Sequence, residues 1–156
     1  MNHAVLYVRD ADRAADFYEK VLDFRTVAQF PGARFLQAPD STNDHDLGLF
    51  GIGDAAAPSP AGRSAVGLYH LAWEVPTLGD LVAVRERLAA AGALVGQSDH
   101  TATKSLYAKD IDGIEFEVCW LVPVSLLSEA ETETGGGTVP LDLDRELARF
   151  GADTSA

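Results

Sequence analysis

The feature that most constrains this chain is a pattern of strand, helix and turn signals that runs through twice in the same order. The first pass opens at Ala4–Val8, whose alternation places His3, Val5 and Tyr7 on one face and Ala4, Leu6 and Val8 on the other. Asp10 or Asp12 then offers an N-cap, and Ala14, Phe17, Tyr18, Val21 and Leu22 recur at helical spacing, predicting an amphipathic helix of about three turns. Strand-like runs follow at Arg25–Phe30, Ala33–Ala38 and Asp46–Ile52, punctuated by Pro31-Gly32 and Pro39-Asp40-Ser41. The second pass repeats this with a strand at Tyr69–Val75 and a helix at Leu78–Ala91 stopped by Gly92. Strands at Leu94–Gln97, Lys104–Lys109 and Glu115–Leu121 complete it, the last two joined by the turn Asp110-Ile111-Asp112-Gly113. The expectation is an α+β fold of two βαβββ modules, 1–54 and 68–123, forming a curved mixed sheet. A linker at 55–67 joins them into one domain, 1–127. The tail, 128–156, is polar and expected to be mobile at first; it then carries a short helix over Asp142–Phe150 with Leu143, Leu147 and Phe150 on one side.

Charge and cysteine content exclude several classes of partner. The formal charge is −12, from 24 acidic and 12 basic side chains, so the surface repels nucleic acid and anionic membranes. No apolar run approaches the length of a membrane-spanning helix, and Met1-Asn2-His3-Ala4-Val5 does not read as a secretory signal. Cys119 is the single cysteine, which rules out an intrachain disulfide and suits a reducing cytoplasm. Unpaired sheet edges of such modules suggest a homo-oligomer.

The candidate chemistry lies in histidines and one carboxylate. His3 and His70 occupy corresponding positions at the heads of the two opening strands. Glu117 lies in the last strand, where Phe116, Val118 and Trp120 share one face and Glu115, Glu117 and Cys119 the other. A carboxylate on an otherwise apolar strand needs a partner, because an unpaired buried charge is costly. Two imidazoles and one carboxylate can converge on a divalent metal and leave coordination positions open, a set that suits non-haem Fe(II). The bland alternative is a strand-end histidine that is merely exposed or satisfied. For His45, beside Asn43, Asp44 and Asp46, that alternative is a turn residue; for His100 it is a solvated loop residue, and for Tyr107 a core aromatic. Lys104 and Lys109 read as exposed strand residues, and Trp73, Phe116 and Trp120 as core.

The segments His3-Ala4-Val5-Leu6-Tyr7-Val8-Arg9-Asp10 and Ala15-Asp16-Phe17-Tyr18-Glu19-Lys20-Val21-Leu22-Asp23-Phe24 resemble the opening of the vicinal oxygen chelate superfamily, which includes glyoxalase I, fosfomycin and bleomycin resistance proteins and extradiol dioxygenases. Within it the chain looks most like the single-domain type I extradiol ring-cleavage enzymes. The residues that carry this are Tyr69–Val75, His45-Asp46-Leu47-Gly48-Leu49-Phe50, Asp99-His100 with Ser105-Leu106-Tyr107, and Asp110–Glu117. Ile111 and Ile114 depart from the usual Pro and Asn of that last signature. The resemblance implies His3, His70 and Glu117 as ligands of Fe(II), with Mn(II) as a substitute. It also implies His45 as the acid–base residue, standing where a glyoxalase would supply a first-module Glu. His100 becomes an outer histidine and Tyr107 a substrate-facing residue that hydrogen-bonds a substrate oxygen. The implied reaction is cleavage of a catechol ring beside its diol by O2, with a lyase or an antibiotic-modifying or antibiotic-binding protein on the same fold as the alternative.

Overall fold

The computed structural model describes residues 2–59, 65–133 and 137–156. Met1, residues 60–64 of the expected linker and residues 134–136 of the tail lie outside them. The chain divides into two compact units, Met1–Pro60 with Asp110–Ile114, and Ala61–Lys109 with Glu115–Ala156.

The first unit contains β1 (Ala4–Val8), α1 (Ala11–Leu22), β2 (Arg25–Phe30), β3 (Ala33–Gln37) and β4 (Leu47–Gly51). Its sheet has the order β1-β4-β3-β2, with β1 parallel to β4 and the other pairs antiparallel. Helix α1 starts three residues before the expected Ala14, because the Asp10 carboxylate accepts from the backbone N–H groups of Asp12 and Arg13. Its apolar stripe (Ala14, Tyr18, Val21, Leu22) is buried, as are Val8, Leu36, Leu47 and Leu49 of the sheet. On the opposite parity Val5 and Tyr7 are exposed, and these share the face expected to carry His3. The turn Asp110–Ile114 belongs to this unit because its two carboxylates are bonded into it. Tyr18 Oη donates to Asp110 at 3.0 Å, and Arg9 donates to Asp112 from its backbone N–H at 2.9 Å and its guanidinium at 2.7 Å. Gly113 takes φ +82 to close the turn, a value open to glycine at little cost.

The second unit repeats the topology. It contains β5 (Leu71–Glu74), α2 (Leu78–Ala90), β6 (Leu94–Asp99), β7 (Thr103–Lys109) and β8 (Glu115–Leu121). The sheet order is β5-β8-β7-β6-β9, where β9 is Val139–Pro140 from the tail, and β5 runs parallel to β8. Thr77 and Asp80 form a capping box at the start of α2, whose Leu78, Leu81, Val84 and Leu88 are buried. The α+β class and the twofold module pattern therefore hold, with the hydrogen bonding divided between a four-stranded and a five-stranded sheet.

The tail is a structural part of the second unit. After a short 3-10 turn at Val124–Leu126, α3 (Glu129–Glu133) forms where a mobile stretch was expected, and α4 (Leu143–Phe150) follows an Asp142 cap. The terminal segment then runs along α2. Gly79 N–H donates to Ala152 O at 2.8 Å and Trp120 Nε1 donates to Thr154 O at 3.1 Å. A Cβ on Gly79 would stand 3.0 Å from Ala152 O, so the glycine permits this close approach. Lys104 corrects the expectation of an exposed strand residue. It is 1% exposed, and its Nζ lies 2.6 Å from Asp99 Oδ1 and 3.1 Å from Glu146 Oε2 of α4. Arg145 reaches Asp99 at 3.0 Å and Glu146 at 2.8 Å. Lys109 is exposed, as expected. Phe116 and Trp120 are core residues, while Trp73 is only half-buried.

Candidate metal centre

In the second unit, strand parity turns Glu117 away from the α2 side and the sheet register sets it between two neighbours. Ala72 of β5 and Tyr107 of β7 are its partners across the sheet. His70 immediately precedes β5, one residue outside the strand, and it shares the parity of Ala72. Its Nε2 lies 2.9 Å from Glu117 Oε2, while Ser105 Oγ donates to Glu117 Oε1 at 2.5 Å. Ser105 thus holds one carboxylate oxygen and leaves the other facing the imidazole. Ser105 also shares the parity of Tyr107, a periodicity visible in the sequence but not used to find it.

This pair can hold a metal. Two donors on adjacent vertices of an octahedron, each about 2.1 Å from the ion, stand about 3 Å apart. The His70–Glu117 separation is of that size. His70 Nδ1 is buried and has no hydrogen-bond partner. The tautomer is consequently set only at Nε2: facing Glu117 alone Nε2 carries the proton, and facing a cation it gives the proton to Nδ1. Burial, followed by the Glu117 and Glu74 charges, pushes the Cys119 thiol up to about 11, so in the metal-free protein it keeps its proton near neutral pH.

Beside the pair, the Tyr107 ring lies 5.9 Å from the His70 ring, centroid to centroid. Burial and then the Glu117 carboxylate raise the Tyr107 pKa above its ordinary value, so the phenol keeps its proton. Its hydroxyl lies 2.9 Å from His100 Nε2, and His100 Nδ1 lies 3.0 Å from Thr138 Oγ1. His100 is therefore a partnered residue and not a solvated loop side chain. Thr138 comes from the tail, where the sequence offered no chemical signal.

In the first unit, the parallel β1–β4 register brings His3 and His45 together, with ring centroids 4.5 Å apart. His3 Nδ1 lies 2.7 Å from Asn2 Oδ1, and His45 Nδ1 lies 3.2 Å from Asp44. The His45 loop is folded around Asp46, whose carboxylate accepts from Ala38 N–H, Ser41 Oγ and Asn43 Nδ2 at 2.7–2.9 Å. Phe35 meets the His45 ring edge-on at 5.1 Å and the Phe50 ring at 5.8 Å, making an aromatic shelf beside the imidazole.

The structure thus brings together His70 with Glu117, His100 with Tyr107, and His3 with His45. Among the described residues, no group of three or more His, Cys, Asp or Glu side chains is assembled as a metal cage. The repeat also locates the first-module counterpart of Glu117. Ala72, two residues after His70, pairs with Glu117; Val5, two residues after His3, pairs with Gly48. Gly48, and not His45, therefore occupies the position where a first-module carboxylate would stand. A Cβ there would lie 3.4 Å from a Val5 methyl.

Residues 1–118 match the family model described as the Glyoxalase/Bleomycin resistance protein/Dioxygenase superfamily. The chain belongs to this superfamily. It is 33% identical over 112 residues to a biphenyl-2,3-diol 1,2-dioxygenase of Rhodococcus globerulus, covering 71% of this chain and 57% of the relative. It is 29% identical over 118 residues to a catechol-2,3-dioxygenase of Bacillus subtilis, covering 76% of this chain and 40% of that protein. The chain thus spans about half the length of these curated relatives. The fold is shared with a glyoxylase/bleomycin resistance protein/dioxygenase domain from Frankia sp. EAN1pec. That match has a TM-score of 0.63 and 24% identity, over 80% of this chain and 93% of that one. Among the described residues no helix is long and apolar enough to cross a membrane.

Proposed function

We propose that this protein is an Fe(II)-dependent extradiol dioxygenase acting on a catechol-type substrate with O2. The observation that carries the reading is the His70–Glu117 pair, at the separation of two neighbouring metal ligands, together with Gly48 at the matching position of the first module. The chain can then offer one carboxylate and two repeat-related histidines, the donor set of a non-haem iron site. His70 and Glu117 supply two ligands. His3 supplies the third, on the strength of its sequence correspondence to His70. A lyase that draws a ligand carboxylate from each module has no such residue at Gly48. The names of the curated relatives, both dioxygenases, support the same direction.

Bound Fe(II) would contribute Lewis acidity toward the catechol oxygens and an open position for O2. The remaining tasks belong to the chain. Ser105 orients Glu117 by holding its second oxygen. Tyr107 hydrogen-bonds a substrate oxygen through its hydroxyl. His45 takes a proton from the diol and returns it, a role suited to an imidazole whose unperturbed pKa is about 6.5.

The test is anaerobic loading with Fe(II), metal analysis, and oxygen uptake on simple and bulky catechols. One iron per chain and catechol-dependent oxygen uptake are expected. His70→Ala loses both metal and turnover, whereas His45→Ala keeps the metal and slows turnover by about 10²–10⁴-fold. Iron-loaded protein that is inert across the catechol panel rejects the reading. Glutathione-dependent turnover of methylglyoxal with Ni(II) or Zn(II) replaces it with the lyase.

A further inference from the structure

The tail lies beyond residues 1–118, which match the superfamily, yet it is bonded to the candidate site at one point. Strand β9 pairs with the edge of β6, setting Val139 opposite Asp99. That pairing places Thr138 beside His100, the residue after Asp99. The loop carrying His100 is held from several sides. Asp99 Oδ1 accepts from Thr101 N–H at 2.7 Å and from the buried Lys104 at 2.6 Å; Asp99 Oδ2 accepts from Arg145 of α4 at 3.0 Å. His100 N–H donates to Thr103 O at 2.9 Å. With the backbone fixed, the two ring nitrogens of His100 meet one hydroxyl each, Thr138 Oγ1 at 3.0 Å and Tyr107 Oη at 2.9 Å.

A neutral imidazole has one N–H and one lone pair, so the two contacts are not independent. We propose that Thr138 is a positioning residue: its hydroxyl accepts the Nδ1–H of His100, which keeps the ring in the Nδ1–H tautomer and turns the Nε2 lone pair toward the Tyr107 hydroxyl. The phenol is then the donor in the second bond. The chain Tyr107 O–H to Nε2, Nδ1–H to Thr138 Oγ runs in one direction. The tail thereby sets the orientation of the Tyr107 phenol, which lies beside the His70–Glu117 pair. The consequence for turnover rests on the dioxygenase reading; the tautomer does not.

Tautomers are read from the two ring nitrogen shifts of His100 in long-range nitrogen–proton NMR of the metal-free full chain, at about pH 8, where an ordinary histidine is neutral. Wild type and Thr138→Ser are expected to show Nδ1 protonated and Nε2 bare. Thr138→Val, which keeps the shape and removes the hydroxyl, is expected to show averaged shifts or Nε2–H. With Fe(II) and an active catechol, Thr138→Val should lower kcat about threefold to tenfold with KM little changed, the size of one lost hydrogen bond, and Thr138→Ser should restore it. An Nε2–H tautomer in wild type, or shifts unchanged in Thr138→Val, overturns the proposal. Tautomers as expected in a protein that turns over no catechol uphold the Thr138 role and reject the dioxygenase reading.

Discussion

At the scale of single residues, Asp46 shows how a catalytic candidate depends on a neighbour that does no chemistry. Burial raises its pKa, but the Ala38 N–H, the Asn43 amide and the Ser41 hydroxyl outweigh that and hold it below the ordinary carboxylate value. The sign follows from linkage. A carboxylate with a folded pKa below its unfolded value of about 3.9 binds fewer protons in the native state. Its stabilisation is complete above that unfolded value and is lost as pH falls through it toward the folded value. Asp46→Ala is expected to cost about 1–3 kcal/mol at neutral pH by stripping these bonds. It should also flatten the acid limb of stability, measured by urea unfolding at a series of pH values. The candidate ligand types His and Glu were legible in the sequence because such residues at strand heads and on an apolar strand demand a reason. Asp46, Ser105 and Asn2 were not, because short polar residues near a turn have many ordinary explanations, and only their hydrogen-bond partners distinguish them.

At the scale of elements, strand parity and helix period were legible because side-chain direction follows from backbone geometry alone. The central part of every module strand was found this way. The ends were less certain: α1 gains a turn through the Asp10 cap, and β6 extends to Asp99 through pairing with β7 and β9. The tail offers no chemical signal in its sequence: its first part alternates acidic and small residues, and its helix shows only an apolar side. Its docking depends on charges buried in three dimensions. Lys104 lies on β7, Asp99 on β6 and Glu146 on α4, residues 99 to 146 in the chain but within hydrogen-bond reach in space. Lys104→Met keeps the volume and leaves the Asp99 and Glu146 carboxylates without their buried cation. A loss of about 3–5 kcal/mol is expected, measured by chemical denaturation. Double substitution of Lys104 and Glu146 by apolar residues should recover part of that loss, since removing both members leaves fewer unpaired charges.

For the whole molecule, the governing fact is that one topology is used twice with different consequences. Each unit carries a mixed sheet in the same strand order, yet only the second carries a carboxylate at the shared register position; the first has Gly48. Metal binding couples to folding when the ligands are held only in the native state. Added Fe(II), kept reduced, is expected to raise the melting temperature in a concentration-dependent way. The gain is about 4 kcal/mol when free metal is about 1,000 times Kd, and His70→Ala abolishes it; differential scanning calorimetry under anaerobic conditions reads both. The sequence by itself determined the repeat, the strand faces and the residue types able to bind a cation, because these follow from local periodicity and side-chain chemistry. Tertiary structure decided which groups meet: His70 with Glu117 and Ser105, His3 with His45, and Thr138 with His100. Those meetings depend on strand register and tail docking, which are set by contacts between residues far apart in the chain and leave no local periodic trace.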